Sequence, residues 1–271
     1  MKSLIHEETA IHYVVAGNKL PTLVFVHGAD IDLTYWKAQL AYFADHYSVI
    51  ALDLPGHGKS GREKPQWSVK TMGEEVATFI KSLALEQVIL IGHSMGGDVN
   101  LVAATTYPDP IIGFIGIDNF KNAGQPLSPQ YQQQSKEIIR HMQADFANTN
   151  EQYARMVLLT PQTPDAVVKR VVQDYRNAYQ PMATAIIEEV FEDGYKLEQD
   201  LLPKLPCKLH LINVDYSPTD EGPLQQYVTA GYEVHHMAGT SHFPMIENPH
   251  ELNRLLEETI ITEIPIPHED Y

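Results

Sequence analysis

The segment 87–104 restricts the fold more than any other part of the chain, because its pattern predicts a strand that turns abruptly into a helix. Residues 88–91 are apolar and rich in β-branched side chains, as in a strand buried on both faces, and a helical pattern begins directly after Ser94. The turn between them is Gly-His-Ser-Met-Gly at 92–96, which fits the pattern G-x-S-x-G. So tight a turn requires glycine on either side and projects the serine hydroxyl above the end of the strand. We therefore predict that Ser94 is a nucleophile.

Strand-like and helical patterns alternate along most of the chain. Four further apolar runs predict buried strands: 22–26, 48–52, 111–117 and 209–214. The opening segment alternates apolar and polar residues, which is typical of an antiparallel edge strand. This order predicts the α/β fold class, with a largely parallel sheet and helices on both of its faces.

Between residues 121 and 205 the strand pattern stops. Helical segments follow one another there instead: 129–147, 151–159, 164–179 and 181–192. We predict a helical cap at 121–205, inserted into a core formed by 1–120 and 206–271; an independent helical domain is the alternative. Large apolar side chains of the cap either line a pocket or form the cap's own core: Phe146, Tyr153, Met156, Leu158, Tyr175, Tyr179, Met182 and Phe191.

The charge balance narrows the range of partners. The 19 basic and 35 acidic residues give a formal net charge of -16. A surface of this sign repels phosphate backbones and anionic lipid headgroups, so we expect a small-molecule substrate and neither nucleic acid nor a membrane as a partner. The sequence starts without the apolar stretch of a secretion signal, and Cys207 is its single cysteine, which together favour a cytoplasmic location.

Several motifs occur in an order that resembles the α/β-hydrolase superfamily. Residues 22–29 resemble the strand and His-Gly turn that supply half of that family's oxyanion hole, and 49–60 resemble its fourth strand and Asp-x-Pro-Gly-x-Gly-x-Ser turn. Residues 92–97 match its serine turn, and 239–244 match the loop that bears its histidine. The resemblance covers nearly the whole chain and implies an α/β-hydrolase fold, with a mostly parallel eight-stranded sheet and an inserted helical cap.

The resemblance also implies roles for individual residues. The backbone N–H groups of Ala29 and Met95 would stabilise an oxyanion, and His242 would act as general base toward Ser94. His242 fits this role because it follows the last strand-like run, 232–237, and precedes the closing helix.

Two aspartates are candidates for the acid that orients His242. Asp215 follows the penultimate strand, the commonest position in the family, although Asn213 stands where a glycine is expected and the loop is one residue short. Asp118 follows the preceding strand, where some relatives place their acid and others carry a structural aspartate. Either carboxylate could orient the imidazole and stabilise its protonated form. We favour Asp215 by a small margin and keep Asp118 as the alternative.

The sequence contains no recognisable metal or cofactor motif. His235 and His236 are adjacent on a predicted strand and point to opposite faces, which makes them a poor metal pair. The G-x-G-x-x-G pattern at 56–61 follows a strand but does not open a helix, so it lacks the helix N-terminus that binds a pyrophosphate. We therefore expect neither a metal nor a cofactor.

These residues together predict a serine hydrolase that acts on a small carboxylic ester or related acyl compound through a Ser-His-Asp triad and an acyl-enzyme. The same residues serve carbon–carbon bond hydrolases, lactonases and cofactor-free peroxidase-like relatives, which stay open as alternatives. A further alternative is a non-catalytic sensor that binds a small ligand with an intact triad. The serine at position 94 argues against haloalkane dehalogenase or epoxide hydrolase chemistry, whose relatives carry aspartate there.

Overall fold

The computed structural model describes residues 2–6 and 9–266, with side chains from residue 10 onward. Within these residues eight strands form one sheet: β1 Lys2–His6, β2 Thr9–Ala16, β3 Thr22–Val26, β4 Ser48–Leu52, β5 Val88–His93, β6 Ile111–Ile117, β7 Leu209–Val214 and β8 Tyr232–Met237. Every apolar run that the sequence assigned to a buried strand forms one, and β5 continues two residues beyond its predicted end, into the serine turn.

The strands lie in the order β1-β2-β4-β3-β5-β6-β7-β8. Neighbours from β4 to β8 in this order are parallel, whereas β2 is antiparallel to both β4 and β1. The mostly parallel eight-stranded sheet and its antiparallel edge are therefore confirmed. Because the carboxyl ends of parallel strands meet at one edge of a sheet, the loops after β3, β5, β6 and β8 converge there.

Helices lie on both sides of the sheet. In the part of the chain that the structure describes they are α1 Lys37–Phe43, α2 Val69–Ser82, α3 Met95–Thr106, α4 Pro129–Ala144, α5 Phe146–Tyr153, α6 Asp165–Asn177, α7 Gln180–Glu192, α8 Gly194–Leu201, α9 Glu221–Tyr227, α10 Pro244–Glu247 and α11 Pro249–Thr262. No helix of this part is long and apolar enough to cross a membrane.

Two apolar cores cover the two faces of the sheet. Val24 and Val26 of β3 pack into one core with residues of α2 and α3, whereas Leu23 and Phe25 pack into the other with residues of α1 and α11. Successive residues of a strand point to opposite faces, so a strand covered on both sides must be apolar throughout. This arrangement explains why the parallel strands were readable as uninterrupted apolar runs.

The segment between β6 and β7 contains α4–α8 and, among its described residues, no strand. The helix predicted at 129–147 ends earlier, at Ala144, because the side chain of Asp145 caps the following helix, α5. A π-helical turn, Ala154–Leu158, follows α5, and α8 was not predicted at all. The division of the chain into a core at 1–120 and 206–271 and a cap at 121–205 stays a prediction.

Candidate active site

Ser94 lies at a strained turn between β5 and α3. Its backbone has φ 50° and ψ -129°, which is unfavourable for a residue with a side chain. A Cβ added to Gly92 would lie 2.5 Å from the carbonyl oxygen of Gly96, and one added to Gly96 would lie 2.5 Å from the carbonyl oxygen of His27. The two glycines therefore permit the turn, and the turn fixes Ser94 at the carboxyl end of the sheet.

A cavity of about 320 Å³ lies at this end of the sheet, and Ser94, Asp118 and His242 all line it. Half of the large cap side chains proposed from the sequence line it too: Tyr153, Leu158, Tyr175 and Phe191. The structure thus brings the predicted nucleophile, the predicted base and one of the two candidate acids to a single cavity that the helical segment helps to enclose.

The other four cap side chains do not line this cavity. Phe146 is buried, and Met156 is 80% exposed. Tyr179 and Met182 line a second, smaller cavity of about 150 Å³. Because all eight side chains have helical spacing in the sequence, that spacing alone could not show which of them line the cavity and which pack between the helices.

The predicted oxyanion donors lie at the same cavity as Ser94. Ala29, in the turn after β3, and Met95, the first residue of α3, both line it. The N–H of a first helical residue has no acceptor within its own helix, so the N–H of Met95 is available to a ligand. The N-terminus of α3 also favours negative charge next to Ser94.

His242 reaches the cavity from the loop between β8 and α10 and contacts Asp118. Its Nδ1 lies 2.5 Å from Asp118 Oδ2, and the two side chains are 9% and 1% exposed. Burial disfavours the ionised form of Asp118, but the hydrogen bond with His242, the charge of His242 and the charge of Lys121 together hold the pKa of this carboxyl below its ordinary value. A carboxylate in this position orients the imidazole and leaves Nε2 for proton exchange with a nucleophile.

Neighbouring groups fix the second oxygen of Asp118. Lys121 Nζ lies 2.6 Å from Asp118 Oδ1, and the backbone N–H of Val214 donates to the same oxygen at 3.2 Å. The ring of Tyr216 covers Lys121, with Nζ 4.4 Å from the ring centroid, and its hydroxyl lies 3.4 Å from His242 Nδ1. Both oxygens of the buried carboxylate therefore have partners, which keeps it ionised and in one orientation.

The structure corrects the preference for Asp215 as the partner of His242. Asp215 is half-exposed, and its Oδ1 lies 3.2 Å from Nδ1 of His236. Its backbone N–H still donates to the carbonyl of Met237, so the chain follows the sheet register here instead of turning toward the cavity. Asp118 is the candidate acid that contacts the imidazole.

Asn213 fastens the end of β7 to the loop that bears Asp118. Its side chain accepts from the N–H of Asn119 at 3.1 Å and donates to the carbonyl of Asn119 at 3.0 Å. The side chain of Asn119 in turn donates to the carbonyl of Ser94 at 2.6 Å. A glycine at position 213 would have no side chain to make the two contacts with Asn119. The asparagine found there instead was therefore the feature of the sequence that pointed to the loop after β6, which bears Asp118.

The backbone of His242 is held by groups that the sequence did not predict. The His93 ring donates from Nε2 to the carbonyl of His242 at 2.7 Å, and the N–H of His242 donates to the carbonyl of Leu158 at 3.0 Å. Burial and the charge of His242 lower the pKa of His93 well below its ordinary value, so this ring is neutral and Nε2 carries its proton. The position of the imidazole thus depends on both the serine turn and the π-helical turn.

Two carboxyl groups, of Asp98 on α3 and Glu198 on α8, also line the cavity. Burial raises the pKa of Asp98 to about 6, and burial together with the charge of Asp98 raises the pKa of Glu198 well above its ordinary value. Glu198 accepts from the N–H of Gly124, and the side chain of Asn119 donates to Asp98 at 3.4 Å. The two carboxyls titrate as a pair and retain a proton at a pH at which isolated carboxyls have lost theirs.

The substitution Glu198→Gln is expected to flatten the dependence of stability on pH. Both pKa values are raised in the folded protein, so the pair's contribution to stability is present below the unfolded values and is lost as the pH rises through the folded ones. Between pH 5.5 and pH 8.5 we expect the free energy of unfolding to fall more steeply in the wild type than in the variant. Thermal unfolding at both pH values measures the difference. The exposed Glu86→Gln variant is the control, and parallel pH curves for wild type and Glu198→Gln would contradict the expectation.

The family model described as "Alpha/beta hydrolase family" matches residues 23–255, which include the serine turn, Asp118 and His242. The chain belongs to the alpha/beta hydrolase family. The α/β-hydrolase fold implied by the sequence motifs is thereby confirmed.

This alpha/beta hydrolase is similar to a putative esterase/lipase of Haemophilus influenzae, with 32% identity over 154 residues that cover 51% of this chain and 53% of that protein. It is also similar to the 3-oxoadipate enol-lactonase 2 of Acinetobacter baylyi, with 31% identity over 108 residues that cover 40% of each chain. The matched region spans about half the length, or less, of these curated relatives. Among solved structures, a thermophilic esterase from Thermogutta terrifontis with malate bound superposes with a TM-score of 0.79 at 21% identity, covering 93% of each chain, which shows a shared fold.

Proposed function

We propose that this alpha/beta hydrolase is a serine hydrolase that cleaves a small carboxylic ester, or a related acyl compound, through an acyl-enzyme. The observation that supports this most is the buried pair of His242 and Asp118 at the same cavity as Ser94. A hydroxyl on a strained turn and an oriented imidazole are the parts that nucleophilic acyl transfer requires.

The proposed reaction has two steps. His242 Nε2 takes the proton of Ser94 as the Ser94 oxygen attacks the ester carbonyl, and the leaving alcohol departs with that proton. Water then attacks the acyl-enzyme, gives its proton to His242 and releases the acid, while Ser94 recovers its hydroxyl. Asp118 stays ionised in both steps and stabilises the imidazolium form of His242.

The amides of Ala29 and Met95 are proposed to stabilise the oxyanion of both tetrahedral intermediates. Each such donor typically lowers the barrier by about 3 kcal/mol, because it points to where charge develops in the transition state. Both amides belong to fixed backbone, at a strand end and at a helix N-terminus, so little reorganisation accompanies the reaction.

The lining of the cavity favours a neutral substrate over an anionic one. It contains the carboxyl groups of Asp30, Asp98, Glu189 and Glu198 in addition to Asp118. Lys121 also lines it, and its ammonium group contacts Asp118 at 2.6 Å. A negatively charged substrate would therefore meet like charges in a partly dehydrated space, where repulsion is stronger than in water.

Hydrolysis of two matched esters tests this function. We expect p-nitrophenyl butyrate to be turned over, and mono-p-nitrophenyl succinate, in which a carboxylate replaces the terminal methyl group, to have a kcat/KM lower by about tenfold or more. The double variant Asp98→Asn/Glu198→Gln should bring the two kcat/KM values closer together, because it removes the negative charge that this pair carries while it shares one proton. Efficient hydrolysis of the succinate ester would contradict the substrate class, and no turnover of neutral esters or lactones would favour the ligand sensor.

A lactonase is the second candidate, because the relative in Acinetobacter baylyi is named an enol-lactonase. A lactone is an internal ester, so the same nucleophile, base and oxyanion donors would open it, with the leaving alcohol still attached to the acyl group. Neutral lactones should therefore be tested as substrates beside the esters.

A cytoplasmic location stays a prediction of the sequence.

A further inference from the structure

A second group of polar side chains lies on the paired strands β7 and β8, apart from Ser94 and His242. Glu233 and His235 are two residues apart on β8 and therefore share one face of the strand. His210 on β7 is paired with Glu233 in the sheet register, which puts its side chain on the same face. The three side chains thus meet on one face of the last two strands.

The potential ligand atoms of this group are close together. His210 Nδ1 lies 3.8 Å from Glu233 Oε2, and His235 Nε2 lies 3.9 Å from Glu233 Oε1. The three ligand atoms that the residues offer all lie within 4.8 Å of one another. Two imidazole nitrogens therefore flank one carboxylate, one on each of its oxygens.

Both of these ring nitrogens lack a hydrogen-bond partner within the described part of the chain. His210 Nδ1 and His235 Nε2 are shielded from solvent and make no hydrogen bond. The His210 side chain is 1% exposed, so water does not replace the missing partner. Buried polar atoms are nearly always satisfied, and two unsatisfied nitrogens within 4 Å of the same carboxylate form a set of donors that a cation could satisfy.

We propose that His210, Glu233 and His235 bind a divalent transition-metal ion of the zinc class. Two imidazoles and one carboxylate are a ligand set that Zn²⁺, Co²⁺ and Ni²⁺ accept, whereas Ca²⁺ and Mg²⁺ prefer oxygen ligands alone. The carboxylate and His235 are 34% and 23% exposed, so the ion can enter from solvent and keep water at its open position.

The ligand atoms must move closer together to bind such an ion. Bonds of about 2.0–2.1 Å to a tetrahedral ion separate neighbouring ligand atoms by about 3.4 Å. The observed separations of 3.8 and 3.9 Å involve different oxygens of Glu233, and the three ligand atoms lie within 4.8 Å of one another, so they must approach by about 0.5 to 1.4 Å. Rotation of the partly exposed Glu233 and His235 side chains can supply this.

Charge around the group is compatible with a cation. Lys208 Nζ lies 2.7 Å from Glu233 Oε2 and 2.9 Å from Glu263 Oε2, so this lysine can remain with Glu263 when Glu233 turns to the ion. The chain as a whole carries a formal charge of -16, which attracts cations. The sequence predicted no metal here because His235 is adjacent to His236 on the opposite face of the strand, and the register between β7 and β8 is not visible in the sequence.

Titration with ZnCl₂ tests the proposal, using tag-free full-length chain stripped with EDTA. We expect calorimetry to show one Zn²⁺ per chain, and His235→Gln and Glu233→Gln each to weaken the affinity at least about tenfold. Both substitutions replace partly exposed side chains, so they avoid the folding problem that a change at buried His210 could cause. The matched control is His236→Gln, which removes a neighbouring histidine that contacts Asp215 and should leave the affinity unchanged.

A second measurement identifies the ligands. Co²⁺ bound in place of Zn²⁺ should give the visible absorption bands of a four-coordinate site, and these bands should be lost in His235→Gln and retained in His236→Gln. The proposal is overturned if the wild type binds no Zn²⁺ at millimolar concentration. It is equally overturned if His235→Gln binds as tightly as the wild type, or if His236→Gln weakens binding to the same extent as His235→Gln.

Discussion

Turnover of p-nitrophenyl butyrate by the Ser94→Ala variant is expected to fall by about 10⁵-fold or more relative to the wild type. Alanine removes the only atom that the proposed mechanism uses to form the acyl-enzyme, and the imidazole then has no nucleophile to activate. The expected residual rate is what the oxyanion donors and substrate binding provide to attack by water. Steady-state kinetics measures the loss, and a fluorophosphonate probe that labels the wild type on the Ser94 peptide should not label the variant.

The fold should survive this change. Alanine keeps the Cβ, so the strain at φ 50° is unchanged, and the hydroxyl does not cap α3, so the melting temperature should stay about the same. The exposed Ser82→Ala variant at the end of α2 is the control for an ordinary serine and should keep full activity. If Ser94→Ala is well folded and retains more than a few per cent of the activity, Ser94 is not the nucleophile.

Replacing Asp118 by asparagine is expected to reduce kcat by about 10³–10⁴-fold, whereas Asp215→Asn should change it by less than about threefold. Asparagine cannot stabilise the imidazolium, and its amide group can donate to Nδ1 of His242, which would leave the proton on the wrong ring nitrogen. Asp215 contacts His236 and does not line the cavity, so its charge matters little to the reaction. Measurement of kcat for both variants, at a pH where the wild type is fully active, separates the two aspartates.

Loss of Asp118 also leaves Lys121 without its carboxylate partner, so the melting temperature of Asp118→Asn must be measured beside its activity. A folded variant with normal KM and low kcat would indicate a defect in proton transfer. A large loss in Asp215→Asn together with little change in Asp118→Asn would reverse the assignment and would require the loop after β7 to move.

The strands and the serine turn were predictable because their signals are local. A strand buried on both faces must be apolar, and a turn that reverses within five residues must contain Gly92 and Gly96. Both requirements can be read in a window of a few residues. The predicted position of His242 depended on the order of such local signals along the chain.

The acid and the carboxyl pair depended on contacts between distant segments. Asn213 at the end of β7 holds the loop that bears Asp118 through contacts with Asn119, and these two asparagines are 94 positions apart in sequence. Glu198 meets Asp98 because α8 packs over α3. The start of α8 was hard to predict because α7 ends only two residues earlier, at Glu192, and the side chain of Asp193 at the N-cap makes no cap hydrogen bond. Neither contact leaves a pattern within a single window of sequence.

The hydrogen bond from the N–H of His242 to the carbonyl of Leu158 links two properties that engineers usually treat as separate. The π-helical turn that ends at Leu158 also contributes to the wall of the cavity beside Ser94. Exchanging this turn to admit larger molecules would therefore also displace the imidazole that we propose to transfer the proton. In this protein, broadening the substrate range and preserving the turnover number are competing aims.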